Sequence, residues 1–199
     1  MIGQRGKGKT EVALRLFNSP AVLAAPRTVV DPAGAAQTDL VGAVTFGDPY
    51  NVPGALLTRF VPDDPRDLEA YDALFQGLYD TGGPRLVLAD DVKFIAPSDN
   101  VPKGFSQYVF AGRKRMLAMI ATMPQAVGAC PELRSEADML VVFPLGRAQD
   151  RRTVAADGGV ELADLEAALK RVGPPLEEGG TATGFVILRH GVIHEVPTW

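Results

Sequence analysis

At 199 residues, 46% hydrophobic and 22% charged, with a mean hydropathy of +0.06, the chain is long enough for one substantial core and is neither disordered nor collagen-like. No apolar run approaches the roughly 20 residues of a membrane span, the Gly- and Lys-rich start is unlike a signal sequence, and one cysteine with two histidines is too few for a Cys- or His-built metal cage. These features lead us to expect a metal-poor cytoplasmic protein, and a net charge of −4 argues against a monomer that coats DNA while leaving open a ring with a basic inner wall.

In chain order, Lys9 to Phe17 places Val12, Ala13, Leu16 and Phe17 at helical spacing and stops at Asn18-Ser19-Pro20. Arg27 to Asp31 and Ala55 to Val61 read as strands closed by prolines. A helix is predicted from Asp64-Pro65, with Pro65 in the first turn and Leu68, Tyr71, Leu74, Phe75 and Leu78 as its apolar stripe, ending at Gly82-Gly83-Pro84. Arg85 to Ala89 is a strand covered on both faces, residues 92 to 106 a loop, Phe105 to Lys114 a helix, and Met116 to Thr122 and Met139 to Phe143 further strands. Glu161 to Val172 is an amphipathic helix, and Gly184 to Val196 a β-hairpin turning at His190-Gly191, capping the domain and loosely attached through Gly173 to Gly184. The alternation indicates an α/β fold with a mainly parallel sheet flanked by helices and a C-terminal β-hairpin. We expect a single domain over 1–199, with a core at 1–150 and a C-terminal helix and hairpin at 151–199.

Three clusters carry chemistry. Gly3-Gln4-Arg5-Gly6-Lys7-Gly8-Lys9-Thr10 fits G-x-x-x-x-G-K-S/T, whose glycines turn backbone N–H groups around phosphate oxygens while the next helix, here continuing through Glu11, aims its positive end at the same anion. Lys9 then reaches the β/γ-phosphates of ATP and the Thr10 hydroxyl binds Mg²⁺. Only Met1 and Ile2 precede Gly3, so the strand that ordinarily carries such a loop is expected either to be missing, through a shortened N-terminus, which the otherwise intact pattern favours, or to be replaced by another segment. Second, Leu86-Val87-Leu88-Ala89-Asp90-Asp91 delivers two carboxylates at a strand's C-terminal end, Asp90 for the metal shell and Asp91 to orient or deprotonate the attacking water; an acidic turn is the structural alternative. Third, in Ala111 to Gln125, Thr122 or Gln125 is placed to sense the γ-phosphate. Arg113 or Arg115 is either a finger acting on a neighbouring subunit's nucleotide or a solvated basic helix end. Cys130, His190 and His194 read as structural or surface residues.

On these pieces, in this order, with VVDPAGA (29–35), RFVP (59–62), IATMPQAV (120–127) and PELRSEADMLVVFPL (131–145), the chain resembles the FtsK/HerA superfamily of RecA-like P-loop ATPases that pump DNA. It most resembles the small genome-packaging ATPases of tectivirus-like viruses. The resemblance covers about residues 3 to 150 and implies a homohexamer with ATP sites at subunit interfaces and double-stranded DNA in a central channel. The chain departs from the pattern in having Asp91 where the superfamily has Glu and Met123 at the usual sensor glutamine.

The leading expectation is an ATP-driven DNA translocase, cytoplasmic in a host cell or virion-associated, serving viral packaging or conjugative transfer, with a portal or vertex protein as a further partner. Lys93 and Lys103, just past the acid pair, are its pore-loop candidates. The alternatives are a nucleotide-binding regulatory or assembly protein that hydrolyses slowly, and a small-molecule kinase, for which the only lid-like arginine cluster is at 147–152.

Overall fold

The structure is a computed structural model that describes residues 1–4, 8–34, 40–128, 130–173 and 184–197. It divides into two units, Thr10–Thr122, and Met1–Lys9 together with Met123–Trp199.

In the Thr10–Thr122 unit, helix α1 (Lys9–Phe17) precedes strands β1 (Arg27–Val30), β2 (Val44–Phe46) and β3 (Leu57–Phe60). Helix α2 (Leu68–Thr81), strand β4 (Arg85–Ala89), a single helical turn α3 (Val92–Ile95), helix α4 (Lys103–Ala111), a 3-10 turn at Gly112–Arg115 and strand β5 (Leu117–Ala121) follow. All five strands are parallel, in the order β2-β3-β1-β4-β5. Of the inner strands, β1 and β4 are buried almost throughout, β1 with its polar Arg27 and Thr28 included, as crossover-connected sheets covered on both faces require. Their register sets Val30 beside Ala89, and Ala89 beside Ala121. Asp31, Asp90 and Thr122, each the residue after its strand, therefore leave the sheet at one level.

The stripe predicted for α2 is buried at Tyr71, Leu74, Phe75 and Leu78. Phe75 meets Phe105 and Tyr108 of α4 edge-on, with ring centroids 5.0 and 5.5 Å apart. A Cβ on Gly104 would collide with the Asp72 carbonyl oxygen, so this glycine lets α4 approach α2. Pro65 does not open the helix. Asp64 accepts the Arg66 N–H at 2.8 Å in a turn, and Asp67 caps α2 by accepting the Ala70 N–H at 3.0 Å, so the first aspartate serves the turn and the second the helix start. Residues 92–106 are not one loop either: Val92 and Ile95 are buried one turn apart in α3, and α4 begins at Lys103.

The second unit holds helix α5 (Pro131–Ser135), strand β6 (Leu140–Val142), helices α6 (Ala148–Gly158) and α7 (Leu162–Val172), and strands β7 (Phe185–Arg189) and β8 (Val192–Val196), with an antiparallel sheet β6-β7-β8. The hairpin turns at His190 and Gly191, both at positive φ, as a two-residue loop between twisted strands demands. It is not a loosely attached cap. Strand β7 pairs with β6 from Leu140 opposite Leu188 to Val142 opposite Val186, and Phe185, Val186 and Leu188 are buried. The Gly173–Gly184 stretch lies almost wholly outside the described residues.

The leading strand expected to be missing is present as one residue. Ile2, fully buried, forms parallel bridges to Met123 and to Val142. Ile2 N–H donates to the Val141 oxygen and Phe143 N–H to the Ile2 oxygen, both at 2.8 Å.

Candidate functional site

Of the phosphate-loop motif, Arg5, Gly6 and Lys7 lie outside the described residues. Gly3 donates its N–H to the Met123 carbonyl at 3.2 Å, and a Cβ there would fall 2.5 Å from the Phe143 Cβ. Gly8 has φ +82°, a left-handed value glycine adopts without strain. Lys9, 8% exposed, opens α1 and donates its Nζ to the Gln4 carbonyl at 2.7 Å, so the ammonium reaches back across its own loop. Glu11 faces outward in a 2.9 Å pair with Arg15, one turn along.

In the Thr10–Thr122 unit, the Asp90 Oδ1 accepts the Thr10 hydroxyl at 3.3 Å and the Thr122 hydroxyl at 2.5 Å. The same Thr122 oxygen accepts the Asp91 N–H at 3.0 Å. Main-chain bonds from Thr122 N to Ala89 O (3.0 Å), Asp90 N to Val30 O (3.0 Å) and Val92 N to Thr122 O (2.9 Å) fix the strand tips. Hydroxyl and carboxylate are the hard oxygens Mg²⁺ takes, and 3.3 Å is close to the edge of about 3 Å between adjacent ligands of an octahedron. The donor set fits an ion completed by phosphate oxygens and water. No group of three or more His, Cys, Asp or Glu able to hold a metal occurs among the described residues.

Asp91 takes a left-handed conformation, φ 49° and ψ 58°, which Asp tolerates better than most residues. Its carboxylate does not cap α3, the usual employment of an aspartate before a helix.

The remaining predicted residues divide. Arg115 donates to the Tyr79 and Asp80 carbonyls at 2.9 and 3.1 Å and lies 4.5 Å from the Tyr79 ring centroid. It closes the C-terminal end of α2, where a cation meets the helix dipole. Arg113 is exposed in the 3-10 turn. Lys93 lies on α3 with its Nζ 5.1 Å from the Phe94 ring centroid, and Lys103 is exposed at the start of α4. Gln125 is half-buried in the segment after Met123. The Cys130 thiol is buried, and burial and then its contact with the Glu132 carboxylate push its pKa up to about 11. His194 is exposed on β8. In the 147–152 run, Arg151 ties α6 to α7 by a 2.7 Å bond to Glu166.

Two features escaped the sequence reading. Asp31, fully buried, accepts Nε and Nη2 of Arg59 at 3.1 and 2.7 Å; the signal was an arginine inside the apolar run LTRF opposite an aspartate at a strand end. Buried Asp150 and Arg134 bond the two backbone polar groups of Ala126, with the more exposed Asp157 pairing Arg134, and nothing in their spacing announced it.

No protein-family model and no curated protein sequence matches the chain. Among solved structures it is similar to the genome packaging NTPase B204 from Sulfolobus turreted icosahedral virus 2. The TM-score is 0.76 both to the complex with AMPPCP and to that with ATP-gammaS, at 12% identity, over 100% of this chain and 95% of that one. It is similar also to B204, the DNA-packaging ATPase from Sulfolobus turreted icosahedral virus, with a TM-score of 0.67, 12% identity and the same coverage. The chain shares its fold with these proteins: a mixed α/β, RecA-like P-loop architecture with a parallel five-stranded sheet and a C-terminal antiparallel sheet.

Proposed function

We propose that the chain is an ATPase of the FtsK/HerA type, one P-loop domain over 1–199, that moves duplex DNA as a ring of identical subunits, with viral genome packaging as its setting. The observation that carries the reading is the convergence of Thr10 and Thr122 on one oxygen of Asp90, from positions 80 residues before it and 32 after. A phosphate-loop threonine and a strand-end aspartate are the two protein ligands Mg·ATP requires. The shared fold supports it, since structures of the packaging NTPase hold AMPPCP and ATP-gammaS.

The chain's own groups then divide the work. Backbone N–H groups of the loop and the first turn of α1 hold the phosphates. Lys9 exchanges the Gln4 carbonyl for β/γ oxygens, and Thr10 and Asp90 hold the metal. Mg²⁺, when bound, neutralises charge on the β- and γ-phosphates. Thr122 orients both acids at once, and the Asp91 carboxylate accepts the proton of the attacking water. Gln125 senses the terminal phosphate, Arg113 acts on a neighbour's nucleotide, and Lys93 and Lys103 meet DNA phosphates. A hexamer, a portal or vertex partner and a cytoplasmic or virion-associated location belong to the same proposal. No helix among the described residues is long and apolar enough to cross a membrane.

Lys9→Ala tests the reading: removing the ammonium leaves the β/γ charge uncompensated, so hydrolysis measured with and without duplex DNA should vanish and ATP binding weaken. Near-normal turnover overturns it. A slow, regulatory nucleotide-binding protein is the second reading, favoured by the engagement of Arg115 with α2; wild-type hydrolysis indifferent to duplex DNA decides for it.

A further inference from the structure

The segment Met123–Val127 is held at both ends within its unit. At its start, Met123 N–H donates to the Met1 carbonyl at 2.8 Å, and the Met123 carbonyl accepts the N–H of Gly3, the first residue of the phosphate-loop motif. At its end, Asp150, 3% exposed, accepts two amides on a single oxygen, from Ala126 at 2.9 Å and Val127 at 3.1 Å. Arg134, 7% exposed, donates Nη1 to the Ala126 carbonyl and Nε to Asp157, both at 2.6 Å.

Both polar groups of Ala126 are thus taken by charged side chains, from α6 and from α5. Burying such charges adds little net stability over an apolar cluster of equal volume, because desolvation offsets most of the attraction. What the arrangement does impose is one geometry on the peptide that follows Gln125, since a displaced Ala126 would take one hydrogen bond from the buried Asp150 carboxylate and one from the buried Arg134 guanidinium. Gln125 is left between two fixed points, two residues after Met123, which bonds Gly3, and one before Ala126.

Resting on the ATPase reading, we propose that Asp150 and Arg134 are positioning residues that fix the turn carrying Gln125 against the start of the phosphate loop, and so control turnover through Gln125. The test is a double-mutant cycle in the full chain with duplex DNA present. It reads kcat, KM for ATP, affinity for a non-hydrolysable ATP analogue, and amide exchange at Ala126 and Val127. Asp150→Ala should release both amides to exchange and lower kcat about tenfold or more with analogue affinity within about twofold, while in the Gln125→Ala background it should lower kcat by less than about twofold. Asp150→Asn, which keeps one acceptor oxygen, should lie between. Should Asp150→Ala fail to fold, Asp150→Asn and Arg134→Lys carry the cycle. Equal losses in both backgrounds, analogue affinity falling in step with kcat, or a folded variant with released amides and normal kcat each overturn the proposal while leaving the ATPase reading intact. A wild-type chain that does not hydrolyse ATP overturns both.

Discussion

A hydroxyl that donates to one acid and accepts from the backbone of the next gives Thr122 its place among the proposed site residues. Asp90 and Asp91 are adjacent in sequence but differ in environment: Asp90 is tied to two hydroxyls, whereas Asp91 sits on a left-handed residue with its carboxylate unused as a cap. Asp90→Asn should raise the Mg²⁺ concentration for half-maximal hydrolysis about tenfold, while Asp91→Asn should bind Mg·ATP normally and turn over at least about a hundredfold more slowly. Asparagine is the right replacement at 91, because alanine would add backbone strain at positive φ. Identical behaviour of the two variants would refute this division. Cys130 gives a pH-dependent expectation. With its pKa raised by burial from the ordinary thiol value of 9.0 to about 11, the folded thiol stays protonated where the unfolded one ionises. Alkylation of native protein should be negligible at pH 7, and stability should fall as pH rises from about 9 to about 11. A thiol that reacts at pH 7 at the rate of a free cysteine contradicts the burial.

Among the elements, α2 is held at both ends by side chains, Asp67 at the first turn and Arg115 at the last. Asp67→Ala and Arg115→Ala should each cost about 1 kcal/mol in chemical denaturation. Arg115→Ala should leave hydrolysis intact, which an arginine acting in trans could not do. Elements with strong periodicity were legible: the stripe of α2, the apolar runs of β1, β4 and β5, and the turn of the β7–β8 hairpin. Strand β2 was not, being three residues long and mostly exposed, nor was α6, which has no apolar stripe and buries only Asp150, Val154 and Ala155. The strand character of Ile2 could not be read because a single residue has no period. Of the site, the acids and the loop were legible as motifs. The role of Thr122 as their shared partner followed only from the parallel register of β4 and β5, and the Asp150 and Arg134 clamp only from tertiary contact.

For the whole molecule, the proposed ring makes a demand that no single chain meets. If Arg113 serves a neighbour's nucleotide, Arg113→Ala and Lys9→Ala proteins, each inactive alone, should recover activity on mixing, to at most about a quarter of wild type for random neighbours. No recovery in rings shown to exchange subunits would remove Arg113 from the proposed catalytic set. The oxygens that meet at Asp90 come from Thr10 and Thr122, the first and last residues of their unit. The three groups of the proposed site therefore come together only when nearly the whole unit has been synthesised and its ends have met, a closure over long sequence separation that slows folding. Any shorter fragment should bind Mg·ATP poorly, and in the completed chain the nucleotide should act as a clasp, its stabilisation of the unit growing with the logarithm of its concentration above Kd.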